Sequence, residues 1–146
     1  MDSSGSVAGL ARAIQLSVAP VFLLTGIAGL LNIFTARLAR IIDRVRALQE
    51  AQERVEPALA EGMERALRVQ RRRTFLINRA ILCTGFTALL VAGVVAVLFI
   101  SAVAALDLAV IVVPVFVLAM VSLIVGLLLF LMEVQLAIRQ NPRRYY

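Results

Sequence analysis

Three long apolar stretches, with one arginine-rich polar stretch between the first two, dominate the hydropathy pattern of the chain. The apolar stretches cover residues 14–36, 80–100 and 108–133. Each supplies about 20 or more mostly uncharged residues, which is the length an α-helix needs to cross a ~30 Å hydrocarbon core. The pattern therefore predicts an all-α integral membrane protein with three transmembrane helices.

The polar stretch 37–79 predicts a pair of helices in water. The first helix should continue past Arg37, because residues 35–44 contain neither glycine nor proline. Apolar residues then recur at helical spacing, close to a short coiled-coil seam: Leu38, Ile41, Val45, Leu48 and Val55. Pro57 disfavours the α conformation at Glu56, so the chain should turn there. We expect an antiparallel helical hairpin, which is either a connector or a surface for a protein partner.

Composition and charge place this hairpin on one side of the membrane. The chain is 62% hydrophobic, which favours one membrane domain over a soluble one. All 15 basic residues are arginines, and eleven of them lie between the first and second spans. The positive-inside rule then predicts a cytoplasmic hairpin and C-terminus and an N-terminus outside. No stacking aromatic residues accompany the arginines, so a nucleic acid partner is not expected.

These observations together predict the organisation of the whole chain. The first span is expected to be an uncleaved anchor, because residues 1–6 lack the basic start of a signal peptide. The predicted segments are an extracytoplasmic tail 1–13, transmembrane helix 1 at 14–36, the cytoplasmic hairpin 37–79, transmembrane helix 2 at 80–100, an extracytoplasmic turn 101–107, transmembrane helix 3 at 108–133 and a cytoplasmic basic tail 134–146.

Small and polar residues at helical spacing mark the faces on which membrane helices pack. In the first span this stripe crosses from the membrane into the polar segment and comprises Thr25, Gly29, Asn32, Arg40 and Asp43. Similar stripes in the other spans are Thr84, Ala88, Ala92 and Ala96, and then Ala119, Ser122 and Gly126. The stripe of the first span is either a packing face or the lining of a pathway.

Glu133 is the acidic residue at the cytoplasmic end of the third span. A short turn centred near Leu106 would place Glu133 level with Arg79, and Arg37 reaches a similar depth from the first span. A carboxylate at a membrane boundary is costly unless it is paired, so Glu133 is expected to pair with Arg79 or an arginine of the first span, Arg37 or Arg40. Contacts with anionic lipid headgroups are expected at Arg71, Arg72, Arg73, Arg143 and Arg144.

Five strings of residues carry a resemblance to a known family. They are APVFLLTGI at 19–27, LLN at 30–32, TARLARIIDR at 35–44, LINRAI at 76–81 and LFLMEVQLA at 129–137. On these strings the chain resembles the domain-of-unknown-function family 2721, which consists of small bacterial membrane proteins. The resemblance implies a three-span fold in the bacterial inner membrane. The family usually has a basic residue before the glutamate, and Met132 in that place points to a partner of Glu133 on another helix.

The residues also narrow the classes of function. The chain has no histidine, and it shows no nucleophile with a base at workable spacing, no cluster of metal ligands and no phosphate-binding loop, so neither an enzyme nor a cofactor or metal site is expected. The leading hypothesis is a homo-oligomer that forms or gates a channel for ions or small solutes, with the first span near the axis. The alternative is a non-conducting scaffold or accessory subunit, whose topology would be similar to that of the ExbB and TolQ stator proteins. A third hypothesis is a lipid-linked role at the arginine clusters.

Overall fold

The computed structural model describes residues 3–52, 57–104 and 109–139, and each of these ranges is one α-helix. Helix α1 comprises Ser3–Gln52, α2 comprises Pro57–Ala104 and α3 comprises Ala109–Arg139. All three helices are long and apolar enough to cross a membrane. The predicted all-helical fold with three potential membrane spans is thereby confirmed.

Helices α1 and α2 are longer than a membrane span requires. They contain 50 and 48 residues, and at 1.5 Å per residue each exceeds ~70 Å in length. Helix α1 continues past Arg37 because no glycine or proline lies between that residue and its end at Gln52. Pro57 opens α2, where its missing N–H costs no hydrogen bond. Residues 53–56 lie outside the described residues, so the antiparallel hairpin stays a prediction.

Helices α2 and α3 continue beyond the ends of the spans predicted at 80–100 and 108–133. Helix α2 continues to Ala104, so the first part of the predicted turn 101–107 is helical. Alanine-rich sequence without glycine or proline favours this continuation. Helix α3 extends beyond Glu133 to Arg139. Residues 105–108 and 140–146, which include Arg143 and Arg144, lie outside the described residues.

Large apolar side chains cover much of the surface of all three helices. Phe22 in α1, Leu89 in α2 and Val110 in α3 are 74%, 72% and 83% exposed. A soluble monomer rarely exposes apolar patches of such extent, because water would have to hydrate them. This surface fits a protein whose spans contact lipid.

The helices form two compact units. The first comprises Met1–Leu31 and Cys83–Ile124, and the second comprises Asn32–Leu82 and Val125–Tyr146. In the first unit, Ile27, Val91 and Ala119 are buried together, one from each helix. The small side chain of Ala119 allows the three helices to approach closely, which is how membrane helices gain packing energy.

Hydroxyl groups supplement this packing in the first unit. The Thr87 hydroxyl lies 2.9 Å from the Cys83 carbonyl oxygen and 3.3 Å from the Ala119 carbonyl oxygen, so it can donate to either. The Ser122 hydroxyl donates to the Cys83 carbonyl oxygen at 2.9 Å. Thr84 is also fully buried, but its hydroxyl has no hydrogen-bond partner among the described residues. These two buried threonines therefore differ in what their hydroxyls contribute.

Replacing each buried threonine by the isosteric valine should have opposite effects on stability. We expect Thr84→Val to be neutral or to stabilise by up to about 1 kcal/mol, because it removes a buried hydroxyl without a partner. We expect Thr87→Val to destabilise by about 0.6–1 kcal/mol, because it removes an interhelical hydrogen bond. Reversible unfolding in mixed micelles measures both, and a larger loss for Thr84→Val than for Thr87→Val would contradict this account.

Candidate functional site

The candidate site lies in the second unit, where each helix contributes two residues three positions apart. Residues at this spacing lie on one face of a helix, about one turn apart. The three pairs are Phe34 with Arg37 on α1, Gln70 with Arg73 on α2 and Phe130 with Glu133 on α3. Each helix therefore presents an aromatic ring or an amide one turn before a charged group.

Glu133 is the centre of this site and has no exposed surface. Its Oε1 accepts hydrogen bonds from Arg73 Nε at 3.0 Å and Arg73 Nη2 at 2.9 Å. Its Oε2 accepts a hydrogen bond from Arg37 Nη1 at 2.8 Å. Both oxygens are satisfied and the negative charge is paired twice, which are the two conditions under which a carboxylate can be buried.

Neighbouring side chains orient the two arginines. Gln70 is 6% exposed, and its Oε1 accepts a hydrogen bond from Arg73 Nη1 at 3.3 Å. The Phe34 and Phe130 rings stack with centroids 4.4 Å apart, and the Arg37 guanidinium carbon lies 5.4 Å from the Phe130 centroid. The ring face attracts the guanidinium. The aromatic pair therefore packs against the charged groups through the contact of Phe130 with Arg37.

The structure brings Glu133 together with Arg37 but not with Arg79. The Arg79 guanidinium carbon lies 5.2 Å from the Phe75 centroid, and Arg79 is exposed. Arg79 follows the buried Ile77 by two residues, so it points to a different side of α2. Counting residues from the turn estimates depth along a helix axis, but it does not give rotation around that axis. The place expected for Arg79 is taken by Arg73.

The predicted stripe of α1 takes no part in the hydrogen bonds of Glu133. Thr25, Gly29, Asn32, Arg40 and Asp43 are all exposed in the single chain. The buried residues of α1 include Ile27, Phe34 and Ile41, which recur every seven positions. At about 100° per residue, every member of the stripe lies roughly opposite Ile27. The stripe therefore lies outside the buried face of α1, although its member Arg40 also lines a cavity beside Glu133.

The arginines expected at lipid headgroups fall into two groups among the described residues. Arg71 and Arg72 are exposed. Arg73 is less accessible to a lipid headgroup than Arg71 and Arg72, because its side chain is only 15% exposed and forms an ion pair with Glu133. The sequence pattern does not predict the contacts of Arg73 and Gln70 at Glu133. The signal that could have revealed them is the recurring three-residue spacing of a charged group after an aromatic or amide residue.

The arrangement is suited to holding helices and to presenting positive charge. Two arginines and one carboxylate leave a formal charge of +1 at the site. Among the described residues, no group of three or more histidine, cysteine, aspartate or glutamate residues is placed to hold a metal ion. The paired geometry of Glu133 supports a structural and electrostatic role for this residue.

Comparison with known proteins assigns the chain to a family. A family model described as "Protein of unknown function (DUF2721)" matches residues 17–142. The chain belongs to the DUF2721 family. No curated protein and no solved structure matches it. The matched range includes every residue of the Glu133 site, so this site lies within the part of the chain that is common to DUF2721.

In this DUF2721 protein, truncation of Glu133 should destabilise the fold strongly. We expect Glu133→Ala to lower the free energy of unfolding by about 3 kcal/mol, because two partly buried arginines lose their counterion. The exposed Glu50 on α1 provides a matched control, and Glu50→Ala should change stability by less than about 0.5 kcal/mol. Thermal unfolding in detergent compares the two variants, and equal melting temperatures would refute a structural role for Glu133.

Replacing Arg73, Arg37 or Arg79 by glutamine should lower the free energy of unfolding by different amounts. Arg73→Gln should cost the most stability, because Arg73 donates two hydrogen bonds to Glu133 and is the less exposed partner. Arg37→Gln should cost less, because Arg37 donates one such bond and its side chain is 35% exposed. Arg79→Gln should lie within about 0.5 kcal/mol of the wild type. The same unfolding assay ranks the variants, and a larger loss at Arg79 than at Arg73 would contradict the observed geometry.

Proposed function

We propose that this protein is a homo-oligomer of the bacterial inner membrane whose subunits associate through the outward stripe of α1 and form or gate a pathway for ions or small solutes. The observation that carries the proposal is the position of Asn32. This residue belongs to the apolar stretch of α1, yet it is exposed in the single chain.

An exposed amide in a membrane span requires a partner. The side-chain amide of Asn32 has no hydrogen-bond partner among the described residues, and its backbone carbonyl accepts from the Thr35 hydroxyl at 3.1 Å. Transfer of an amide from water to a hydrocarbon costs about 4 kcal/mol or more when no hydrogen bond replaces those to water. A neighbouring subunit or a water-filled pathway would supply that bond, whereas lipid chains would not.

The residues around Asn32 allow a second helix to approach. A Cβ atom added to Gly26 or Gly29 would meet no other atom within 4 Å in the single chain. The Thr25 hydroxyl donates to the Val21 carbonyl oxygen of its own helix at 3.3 Å, so it adds no unpaired donor to this face. Small residues beside one polar residue are typical of surfaces through which membrane helices associate.

The continuation of α1 and α2 supports a cytoplasmic stalk. The parts of α1 and α2 that extend beyond the predicted spans lie side by side, because Ile42 and Val45 of α1 line the same cavity as Arg71 and Thr74 of α2. We propose that they form the antiparallel hairpin and that the excess of arginine there holds it in the cytoplasm, with the N-terminus outside. Such a stalk is also the proposed place for an unidentified protein partner.

A non-conducting scaffold or accessory subunit is the second candidate. It is favoured by the outer part of α1, where the exposed residues Val18, Val21 and Phe22 are apolar. A pore lined by these residues would be narrow and would exclude water when closed. The ExbB-like and TolQ-like topology proposed for the chain fits this candidate equally well.

Subunit number separates the two candidates. Native mass spectrometry of particles extracted in mild detergent counts the subunits, and ion flux in liposomes containing only this protein measures conduction. A closed ring of about four or more subunits that conducts supports the pathway. A monomer or dimer contradicts a shared pore, and a ring that conducts nothing favours the scaffold.

Two glycine variants test whether α1 supplies the interface. Gly29→Leu should break the oligomer into smaller species, because the larger side chain would stand between packed helices. Gly93→Leu on α2 is the matched control, since Gly93 also has open space around its Cβ position in the single chain. We expect the control to keep the wild-type subunit number by native mass spectrometry. An unchanged oligomer for Gly29→Leu would rule out the proposed interface.

A further inference from the structure

A second feature of the Glu133 site is a basic cavity beside the buried ion pairs. Four arginines, one isoleucine and Glu133 line a partly open cavity of about 150 Å³. The lining residues are Arg37, Arg40, Ile41, Arg44, Arg73 and Glu133. We propose that this cavity binds a phosphate group, carried either by an anionic phospholipid headgroup or by a soluble phosphate ester.

The charge of the cavity favours an anion. Four arginines against one carboxylate give a formal charge of +3. Both oxygens of Glu133 are already bonded to Arg37 and Arg73, so the carboxylate is neutralised locally. Arg40 and Arg44 form no hydrogen bond or ion pair with any part of the chain that the structure describes. Their guanidinium groups remain available to a ligand.

The spacing of these two arginines is unfavourable without a ligand. Arg40 and Arg44 are four residues apart on α1, where like charges repel and destabilise a helix. An anion between them would turn this repulsion into attraction. Arginine suits phosphate in particular, because its planar fork of N–H donors matches two phosphate oxygens at once.

The walls of the cavity are built and not merely superficial. Glu133 has no exposed surface and Ile41 is 4% exposed. Glu133 holds Arg37 through Nη1 alone, which leaves the other donors of that guanidinium for a second acceptor. A cavity needs about 10–15 Å³ of accessible space to hold one water molecule, so about 150 Å³ leaves room for a phosphate group.

The position along the chain makes a lipid headgroup one source of this phosphate. The apolar stretch of α1 ends at Ala36, one residue before Arg37. The cavity therefore lies where the apolar part of the helix gives way to the arginine-rich part. In a membrane protein this level contains the phosphates of the lipid headgroups. A soluble phosphate ester could reach the same level from water.

Native mass spectrometry of the full-length protein in detergent tests the site with two probes. The protein is titrated with phosphatidylglycerol and, separately, with phosphatidylcholine, while inorganic phosphate is tested by its effect on the melting temperature against chloride at equal ionic strength. We expect Arg40→Gln/Arg44→Gln to weaken binding of the anionic probe by about tenfold or more, because charge-assisted hydrogen bonds to phosphate are lost. Arg44→Lys should give a smaller loss, since it keeps the charge but not the fork.

The variant Arg46→Gln/Arg72→Gln is the matched control, because it removes the same charge from exposed arginines outside the cavity. Selective phosphatidylglycerol binding that only the cavity variant loses assigns the site to a lipid headgroup. Stabilisation by inorganic phosphate that only the cavity variant loses assigns it to a soluble phosphate. Equal loss in both double variants, or no binding of either probe, would overturn the proposal. The same spectra count subunits, so failure of the proposed oligomer is read separately.

Discussion

Glu133 has no contact with solvent, and the cost of burying its carboxylate is the constraint on which the second unit depends. A buried carboxylate is tolerated when its charge is paired and its oxygens are satisfied. Arg73 of α2 and Arg37 of α1 meet both requirements. Because both arginines must reach one carboxylate, the pairing fixes the axial position and the rotation of all three helices at this level. The stacked Phe34 and Phe130 rings pack against these charged side chains.

The residues of α1 fall on two faces, and only one of these faces is buried within the chain. Ile27, Phe34 and Ile41 face the rest of the chain, and Arg37 follows Phe34 by one turn on that side. The opposite face carries Asn32 and the small residues beside it, and nothing in the described part of the chain covers them. The proposed association of subunits through this opposite face would make α1 contribute both to folding of the subunit and to assembly. The basic cavity at Arg40 and Arg44 lies beside Glu133. An anion bound there would therefore affect folding of the subunit and the proposed association of subunits.

The sequence predicts the helices well because their signals are local. Apolar length and the absence of glycine or proline in residues 37–52 suffice to predict three long helices and the continuation of α1. The partners of Glu133 depend on rotation about the helix axes, which residue counting from a turn does not contain. Counting therefore predicts Arg79 as a partner, whereas the structure pairs Glu133 with Arg73, which shares a face of α2 with Gln70. Likewise, the stripe of α1 is recognisable from sequence, but whether it faces inward or outward follows only from the packing of Ile27 and Phe34.

A double-mutant cycle between Glu133 and Arg73 tests the central claim most directly. Unfolding free energies of Glu133→Gln, Arg73→Gln and the double variant are compared with the wild type in mixed micelles. If the pair is bonded as the structure describes, the two effects should be non-additive, with a coupling energy of about 2 kcal/mol. Additivity within about 0.5 kcal/mol would contradict the account, because it would mean that the two side chains do not interact in the folded protein.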